Sequence, residues 1–197
     1  MSKTVSFITS NKNKLTEVVK ILGNEFNPYL DTQNVDLPEL QGSSLEEISI
    51  EKCKIAAKSL NKPCFVEDTA LCFRALGDLP GAYIKWFLEQ LGTNGLRKML
   101  IGFPGPDQFK AEAVCTLSFY DGNPNYDIEV FQGRVPGTIV EPRGEHTFGW
   151  DPIFMPDGFD QTYAEMDRDV KNSMSHRSLA VQKLKKHLTE KMQLLSQ

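Results

Sequence analysis

Residues 5–14 read VSFITSNKNK, and this stretch is the most informative about the fold. Its apolar part, Val5–Ile8, predicts a short strand, and residues 9–14 predict a polar turn. Apolar residues then recur with helical spacing over residues 15–22, and Gly23 stands where a helix C-terminus is expected. A loop between a strand and a helix N-terminus can bind phosphate, because free backbone N–H groups and the helix dipole point at it. The alternative is an ordinary polar turn with solvated lysines.

A second helix is predicted to begin near residues 43–47, where SSLEE fits a capping box in two registers. Leu45, Ile48 and Ile55 form its apolar stripe. Lys52 falls on the same stripe, although a solvated lysine would more naturally lie on the opposite face. We therefore expect Lys52 to point along the buried side of this helix.

The remaining patterns complete a mixed α/β fold. Residues 63–66 predict a buried strand, and residues 84–91 predict a helix that is followed by a shorter one. Polar and apolar residues alternate over residues 109–140, which is typical of a β-meander, and residues 181–195 form an amphipathic helix. We expect a long mixed central β-sheet flanked by helices, with two lobes and a cleft between them.

Composition limits the function classes. The chain has 197 residues, a mass of 22.2 kDa and a net charge of −4, so we expect one domain over residues 1–197. An acidic pI of about 5.5 without a basic block argues against a nucleic-acid partner, and no apolar run approaches the ~20 residues that cross a membrane. Cys53, Cys64, Cys72 and Cys115 form no CxxC pair, which argues against zinc and is typical of reduced core residues in a cytosolic or nuclear protein.

Three carboxylates are candidates for metal chemistry. Glu67 and Asp68 directly follow the apolar strand at residues 63–66, where two acids are costly unless positive charge meets them. Mg²⁺ prefers oxygen ligands, usually one or two carboxylates with water and phosphate oxygens, and Glu39 is a further candidate. A carboxylate can also serve as general base toward water. The alternative is that Glu67 and Asp68 form a helix-capping or turn pair.

Two later motifs suit a nucleobase. Residues 148–151 read FGWD, which offers a ring for stacking, a flexible backbone and an acceptor; the alternative is a hydrophobic plug at one end of a sheet. Lys171 and residues 175–177 (SHR) supply donors for a carbonyl oxygen; the alternative is a charged helix N-terminus capped by Ser175. Phosphate donors, oxygen ligands and a base platform together predict a nucleoside triphosphate site.

Six motifs follow one another along the chain, namely TSNKNK (9–14), LPE (37–39), VEDT (66–69), LPG (79–81), FGWDP (148–152) and SHR (175–177). This ordered set resembles the inosine triphosphate pyrophosphatase family. Each is weak alone, but the ordered set runs across almost the whole chain and is specific. Residues 67–69 (EDT) look like the eukaryotic form, whereas bacterial relatives usually carry Asp-Asp-Ser, and Ser10 stands where glycine is common in the family.

The resemblance implies an activity and its requirements. The implied fold is α/β with an elongated mixed sheet, usually as a homodimer. The implied substrates are purine nucleoside triphosphates with a 6-oxo base, namely ITP, dITP and XTP, which are hydrolysed to the monophosphate and pyrophosphate. Such an enzyme removes deaminated purines from the nucleotide pool. It requires Mg²⁺, with Mn²⁺ as the alternative ion, and a cytoplasmic location with the nucleus as a second compartment is implied.

Residue roles are carried over by position. Asp68, Lys14 and Lys52 form the implied catalytic set, in which Asp68 orients or deprotonates the attacking water and the lysines hold phosphates. Glu39 and Asp68 are the implied metal ligands, with Glu67 nearby. The other implied substrate-binding residues, which include the stacking ring Phe148, are Thr9, Ser10, Asn11, Lys12, Asn13, Thr69, Lys85, Phe148, Gly149, Trp150, Asp151, Lys171, His176 and Arg177.

Two alternative functions remain open at this stage. A nucleotide-binding regulator would keep the pocket without hydrolysis, and it could dispense with Glu39 and Asp68, which are both present. A nucleotide kinase would need an acceptor site and usually a glycine-rich phosphate loop, whereas residues 9–14 contain no glycine.

Overall fold

The structure, a computed structural model, describes residues 4–35, 37–125, 127–146 and 148–194. In chain order the strands and helices are β1 (Val5–Ile8), α1 (Lys12–Leu22), β2 (Leu30–Gln33), α2 (Leu45–Leu60), β3 (Cys64–Phe73), β4 (Pro80–Gly81), α3 (Ile84–Ile101), β5 (Lys110–Tyr120), β6 (Glu129–Ile139), β7 (Phe154–Pro156), α4 (Arg168–Met174) and α5 (His176–Leu194). Tyr126 and Leu195, which belong to predicted elements, lie outside the described residues.

The strands form one mixed sheet. Its order is β2-β1-β3-β5-β6-β7, with β4 paired to β3 as the seventh strand. β1 is parallel to both β2 and β3, whereas β3–β4 and β6–β7 are antiparallel. The predicted mixed α/β fold with a mixed central sheet flanked by helices is therefore confirmed.

The chain divides into two compact units. The first comprises residues 1–68, 115–133 and 177–197, and the second comprises residues 69–114 and 134–176. None of the helices within the described residues has an apolar stretch long enough to span a lipid bilayer.

Two apolar clusters lie on opposite faces of the strands in the first unit. Phe7 and Phe65 are register partners on β1 and β3, their rings stack at 4.6 Å, and they pack against α1 and α5. Ile8 and Val66, the next residues of the same strands, belong to a second cluster with Cys53 and Ala56 of α2. Because successive strand residues point to opposite faces, α1 and α5 cover one face and α2 covers the other.

Local signals place the first helices as predicted. α1 ends at Leu22, where the N–H of Gly23 bonds to the carbonyl of Val19. α2 begins after Ser44, whose hydroxyl accepts a hydrogen bond from the N–H of Glu47 at 3.2 Å, so the second of the two capping registers is used.

The predicted apolar stripe of α2 is wrong at Ile55, which is 38% exposed. The face that packs on the sheet instead carries Ser49, Cys53 and Ala56. These small side chains allow a close approach, and Ser49 accepts a buried hydrogen bond from Ser118 of β5 at 2.9 Å. Side-chain size at the contact thus outweighs hydrophobicity in choosing the buried face.

In the second unit, α3 consists of two helical segments joined at Gly92. Gly92 adopts φ +63°, a left-handed conformation that glycine tolerates without steric cost, which accounts for the two separate helices predicted here. Ile84, Leu96 and Leu100 are its buried residues. The region after residue 145 includes the short strand β7.

Candidate active site

Two neighbouring carboxylates lie in the middle of β3. Glu67 and Asp68 were predicted at the end of a strand, but β3 continues to Phe73. Since side chains alternate along a strand, Glu67 shares the face of Phe65, and Asp68 shares the face of Val66. The strand tolerates both acids because each meets a cation from a different helix of the first unit.

Glu67 belongs to a buried ion cluster. Its Oε2 lies 2.9 Å from the Nζ of Lys14, and its Oε1 accepts a hydrogen bond from the Nη2 of Arg177 at 3.2 Å. The Cys115 thiol donates to the same Oε1 at 3.4 Å. The Nη1 of Arg177 donates to Glu17, which follows Lys14 by one helical turn on α1. Two carboxylates and two cations are thereby held together.

Charge pairing sets the protonation states in this cluster. Burial by itself lowers the pKa of Arg177, but the carboxylates of Glu67 and Glu17 outweigh it, and the pKa is raised. Burial also raises the pKa of the Cys115 thiol well above its usual range, and the charge of Glu67 acts in the same direction. Arg177 is therefore a permanent cation, and Cys115 is a neutral hydrogen-bond donor.

Asp68 pairs with Lys52 on the opposite face. The Lys52 Nζ donates to the Asp68 Oδ1 at 2.5 Å, and the two side chains are 16% and 26% exposed. Burial alone would lower the pKa of Lys52, but the charges of Asp68, Glu39 and Glu67 outweigh it and raise the pKa. The predicted inward orientation of Lys52 is thus explained by carboxylates that surround its ammonium group.

The second oxygen of Asp68 is in a different situation. Its Oδ2 is buried and has no hydrogen-bond partner among the described residues. A buried carboxylate oxygen without a partner is costly, so this atom suits a ligand that brings positive charge or a proton.

Among the described residues, the acidic side chains do not form a complete metal-binding site by themselves. Within the described ranges, no group of three or more His, Cys, Asp or Glu side chains is arranged to hold a metal ion. Mg²⁺ commonly takes only one or two carboxylates and fills its other positions with water and phosphate oxygens. Asp68, through Oδ2, and the exposed Glu39 fit such a partial site. The ligand set of Glu39, Asp68 and Glu67 stays a prediction.

A side-chain cap organises the loop before α1. The Oδ1 of Asn11 accepts hydrogen bonds from the N–H groups of Asn13 and Lys14 at 3.0 and 3.1 Å. The Oγ1 of Thr9 accepts from the N–H of Asn11 at 3.1 Å. Because capping uses the carbonyl oxygen of Asn11, its amide nitrogen is the part suited to donate to a phosphate. The exposed residues of this loop are Ser10, Asn11, Lys12 and Asn13.

The second unit contains a buried lysine among aromatic rings. The Nζ of Lys171 donates to Asp151 Oδ2 at 2.5 Å and lies 4.7 Å from the ring centroid of Phe148 and 5.4 Å from that of Tyr163. Lys171 is only 5% exposed. A carboxylate and two ring faces thus enclose the Nζ of Lys171.

Further rings extend this aromatic cluster. Trp150 lies 5.3 Å from the His176 ring, and Tyr163 stacks on His176 with centroids 5.7 Å apart. Phe154 contacts both Trp150 and Tyr163. Gly149 adopts φ +53°, which glycine tolerates where the chain turns between Phe148 and Trp150.

Comparison with known proteins identifies the family. A family model described as the Ham1 family matches residues 5–187. The chain belongs to the Ham1 family. This confirms the family resemblance inferred from the ordered motifs, while the eukaryotic type stays a prediction.

Solved structures of this family share the fold. A HAM1 protein from Coxiella burnetii superposes with a TM-score of 0.81 at 25% identity, covering 95% of this chain and 98% of that chain. The Ham1 protein of Staphylococcus aureus has a TM-score of 0.75 at 29% identity, covering 95% and 100%. A Mycobacterium abscessus protein described as a nucleoside-triphosphatase / dITP/XTP pyrophosphatase has a TM-score of 0.69 at 25% identity, covering 92% and 98%.

Apart from Glu39 and residues 9–13, which are described above, most predicted site residues of this Ham1-family chain fall into two groups. Lys14, Lys52, Glu67, Asp68 and Arg177 are held together by ion pairs or charge in the first unit. The second unit contains Phe148, Gly149, Trp150, Asp151, Lys171 and His176 in or beside its aromatic cluster.

The predicted residues Thr69 and Lys85 lie on β3 and α3. Thr69 follows Asp68 on β3 and is half-buried. Lys85 is exposed on α3, with its Nζ 4.9 Å from the ring centroid of Trp86.

Four residues of the clusters were not predicted as site residues, namely Glu17, Cys115, Phe154 and Tyr163. Glu17 could have been identified from the sequence, because it lies three residues after Lys14 on the same face of the predicted helix. Cys115 alternates with other buried residues of β5, which marks it as core but not as a partner of Glu67. Tyr163 lies between predicted elements, where no periodic pattern points to it.

Proposed function

We propose that this chain is a nucleoside triphosphate pyrophosphatase that hydrolyses ITP, dITP and XTP to the monophosphate and pyrophosphate. The observation that carries the proposal is Asp68, which is held by Lys52 through one carboxylate oxygen while the other is buried without a hydrogen-bond partner in the described part of the chain. Membership of the Ham1 family supports the reaction, and the dITP/XTP pyrophosphatase described from M. abscessus supports the substrate class.

The first unit is proposed to bind the triphosphate and its metal. Asp68 and Glu39 hold Mg²⁺, or Mn²⁺ as the alternative, which when bound neutralises phosphate charge. Lys52 and Lys14 supply further positive charge, and the N–H groups at the start of α1 add donors. Phosphoryl chemistry depends on positioning and charge neutralisation more than on a covalent nucleophile, and these residues supply both.

Asp68 is proposed to orient or deprotonate the attacking water. Lys52 fixes one oxygen of the carboxylate, so the other oxygen keeps a defined position. Glu67 has no such available oxygen, because Lys14 pairs with one of its carboxylate oxygens and Arg177 donates to the other. We propose that Glu67 holds the ammonium group of Lys14 in position. A contact between Glu67 and the metal stays a prediction.

The second unit is proposed to bind the base. Phe148 offers a ring face for stacking, and Lys171 and His176 offer donors for a 6-oxo group. The 6-amino group of adenine would place donor against donor. A mismatch that leaves buried polar groups unpaired can reject an analogue by ~10⁴-fold or more, so ATP is expected to be a poor substrate.

One experiment tests the reaction directly. The purified chain is incubated with Mg²⁺ and a panel of ITP, dITP, XTP, GTP and ATP, and the phosphorus products are identified by ³¹P NMR. We expect pyrophosphate and monophosphate from the first three. Release of inorganic phosphate and a diphosphate would contradict the proposed bond cleavage. Tight binding without any product would instead support the nucleotide-binding regulator.

Lys52→Ala is expected to weaken triphosphate binding far more than stability. Removing the ammonium leaves Asp68 and the substrate phosphates without their neutralising partner, so we expect KM for ITP to rise about tenfold or more. Lys54→Ala is the matched control, because Lys54 lies on the same helix and forms an exposed ion pair with Glu51. A loss of stability with unchanged KM would make Lys52 a packing residue.

Phe148→Ala is expected to raise KM for ITP. Base–aromatic stacking contributes about 1–3 kcal/mol per base, which corresponds to a rise of roughly fivefold to 150-fold. Phe159→Ala is a suitable control, because Phe159 is an exposed phenylalanine of the same unit. Steady-state kinetics that are identical for the two variants would deny Phe148 its stacking role.

Assembly and location are also proposed from the family resemblance. We propose a homodimer, which light scattering on the purified chain would test against a mass of 22.2 kDa for one subunit. A location in the cytoplasm, with the nucleus as a second compartment, can be tested by fractionating cells.

A further inference from the structure

Tyr163 links the aromatic cluster of the second unit to two polar residues of the candidate base site. Its ring stacks on that of His176 with an interplanar angle of 14° and centroids 5.7 Å apart. The Nζ of Lys171 lies 5.4 Å from the Tyr163 ring centroid. Tyr163 is 2% exposed and belongs to none of the sequence motifs. It therefore contacts both residues that are proposed to donate hydrogen bonds to the base.

The backbone around Tyr163 is held by a hydrogen-bonded turn. Thr162 is fully buried, and its N–H donates to the Oε2 of Glu165 at 2.8 Å. The N–H of Glu165 donates to the Thr162 carbonyl at 3.0 Å, which closes the turn. The Thr162 hydroxyl donates to the carbonyl of Arg143 at 3.2 Å. The N–H of Tyr163 donates to the carbonyl of Phe154 at 3.0 Å, so hydrogen bonds within and beyond the turn fix the point from which the ring projects.

Stacking limits the directions in which His176 can donate a hydrogen bond. The N–H groups of an imidazole lie in the ring plane, so stacking on Tyr163 directs them nearly parallel to the Tyr163 ring. The Trp150 centroid lies 5.3 Å from that of His176 and 6.2 Å from that of Tyr163, so the three rings contact one another. Two neighbouring rings therefore restrict tilting of the His176 plane.

The same ring constrains the Lys171 ammonium group. Asp151 accepts a hydrogen bond from its Nζ at 2.5 Å, but an ammonium can swing around a carboxylate that it contacts. The ring face of Tyr163 attracts a cation through its quadrupole, and that of Phe148 does so from 4.7 Å. Hydrogen bonds weaken steeply when their angle falls below about 120°, so limiting this movement favours accurate recognition of a base.

We propose that Tyr163 is a positioning residue for base selection, because its ring face aligns Lys171 and His176 for donation to a 6-oxo group. This inference rests on the proposed function, in which those two residues donate to the base. Tyr163 itself needs no contact with the nucleotide. The 6-amino group of adenine is rejected only while the donors keep their directions, so loosening them lowers selection rather than the rate of the chemical step.

Tyr163→Leu removes the ring and keeps an apolar side chain. We expect KM for ITP to rise roughly tenfold while kcat stays within about threefold, because the lost contacts position the base and not the reacting phosphate. The preference for ITP over ATP, measured as the ratio of the two kcat/KM values, should fall roughly tenfold. An unchanged preference overturns the proposal, and so does a fall in kcat alone.

Two further variants separate positioning from packing. Tyr163→Phe keeps the ring face and should retain the preference for ITP; a loss equal to that of Tyr163→Leu would assign the effect to the hydroxyl and overturn the proposal. Phe73→Leu is the matched control, because Phe73 is a fully buried ring of the same unit that contacts neither Lys171 nor His176 among the described residues. Thermal unfolding sets an assay temperature at which all variants are folded. An equal loss of preference in Phe73→Leu would reduce Tyr163 to a packing residue.

NMR of the histidine rings tests the stacking contact without substrate. The chain has three histidines, and their ring signals can be assigned from single variants at His146 and His187. We expect the His176 ring signal to shift in Tyr163→Leu, because the ring current of Tyr163 is lost, and to stay near its position in Tyr163→Phe and Phe73→Leu. A signal that does not move in Tyr163→Leu overturns stacking as the means of positioning.

The two measurements distinguish failure of this inference from failure of the proposed function. If the unchanged chain hydrolyses ITP and Tyr163→Leu keeps its preference over ATP, only the role of Tyr163 is overturned. If the unchanged chain neither hydrolyses nor binds ITP, the proposed function fails and base selection fails with it. The NMR signal of His176 still decides in that case whether Tyr163 positions the imidazole ring.

Discussion

Replacing Asp68 with asparagine is expected to lower turnover of ITP by roughly 10²–10⁴-fold, the range that general acid–base groups contribute. The amide keeps the size of the side chain, but it can neither accept a proton nor hold a cation as a carboxylate does. It also leaves Lys52 without its strongest partner. The measurement is kcat with saturating ITP and Mg²⁺, together with circular dichroism and thermal unfolding to confirm the fold.

Asp31→Asn is the matched control for this change. Asp31 lies on β2 of the same unit and pairs with Lys62, Gln33 and Ser6, none of which is a predicted site residue. We expect its kcat to remain near that of the unchanged chain. If Asp68→Asn retained comparable turnover, Asp68 would have no part in the chemistry, and the proposed function would lose its central observation.

Arg177→Met is expected to destabilise the fold by about 3–5 kcal/mol, the cost of removing one partner from a buried ion pair. Arg177 is 1% exposed and donates to both Glu67 and Glu17. Methionine fills much of the same space, so the loss of unfolding free energy arises mainly from carboxylates that are left without their cation. Urea unfolding, with the midpoint and slope compared between variants, measures the free energy of unfolding.

Arg134→Met provides the comparison for an exposed arginine. Arg134 pairs with Glu112 at 2.7 Å but its side chain is 46% exposed, so we expect a cost below about 1 kcal/mol. Adding Glu67→Gln to Arg177→Met should recover part of the stability, because it removes one of the uncompensated charges. A small cost for Arg177→Met combined with a large rise in KM would instead favour the predicted contact of Arg177 with substrate.

The contrast between Glu67 and Asp68 shows what residue order can and cannot reveal. Two adjacent acids in a strand must take opposite faces, and that follows from the chain alone once the strand is known to continue. The predicted strand ended at Val66, where the apolar run stops. The compensating Arg177 lies 110 residues away from Glu67, and no local pattern indicates such a pairing.

The buried face of α2 illustrates a second limit. Its start at Ser44 follows from a capping interaction between residues three apart, which local sequence encodes. Its orientation depends on how closely β3 and β5 approach it, which favours Ser49, Cys53 and Ala56 over the larger Ile55. The same orientation places Cys53 in one apolar cluster with Cys64 of β3.

Elements such as β1, α1 and the α2 cap could be predicted because their energetics depend on residues within about one helical turn or one strand repeat. The order of the motifs likewise identified the family without coordinates. The partners of Glu67 and the enclosure of Lys171 by rings required the folded chain. Burial removes these charged and polar groups from water, and each then needs a compensating partner, which can come from any position along the sequence.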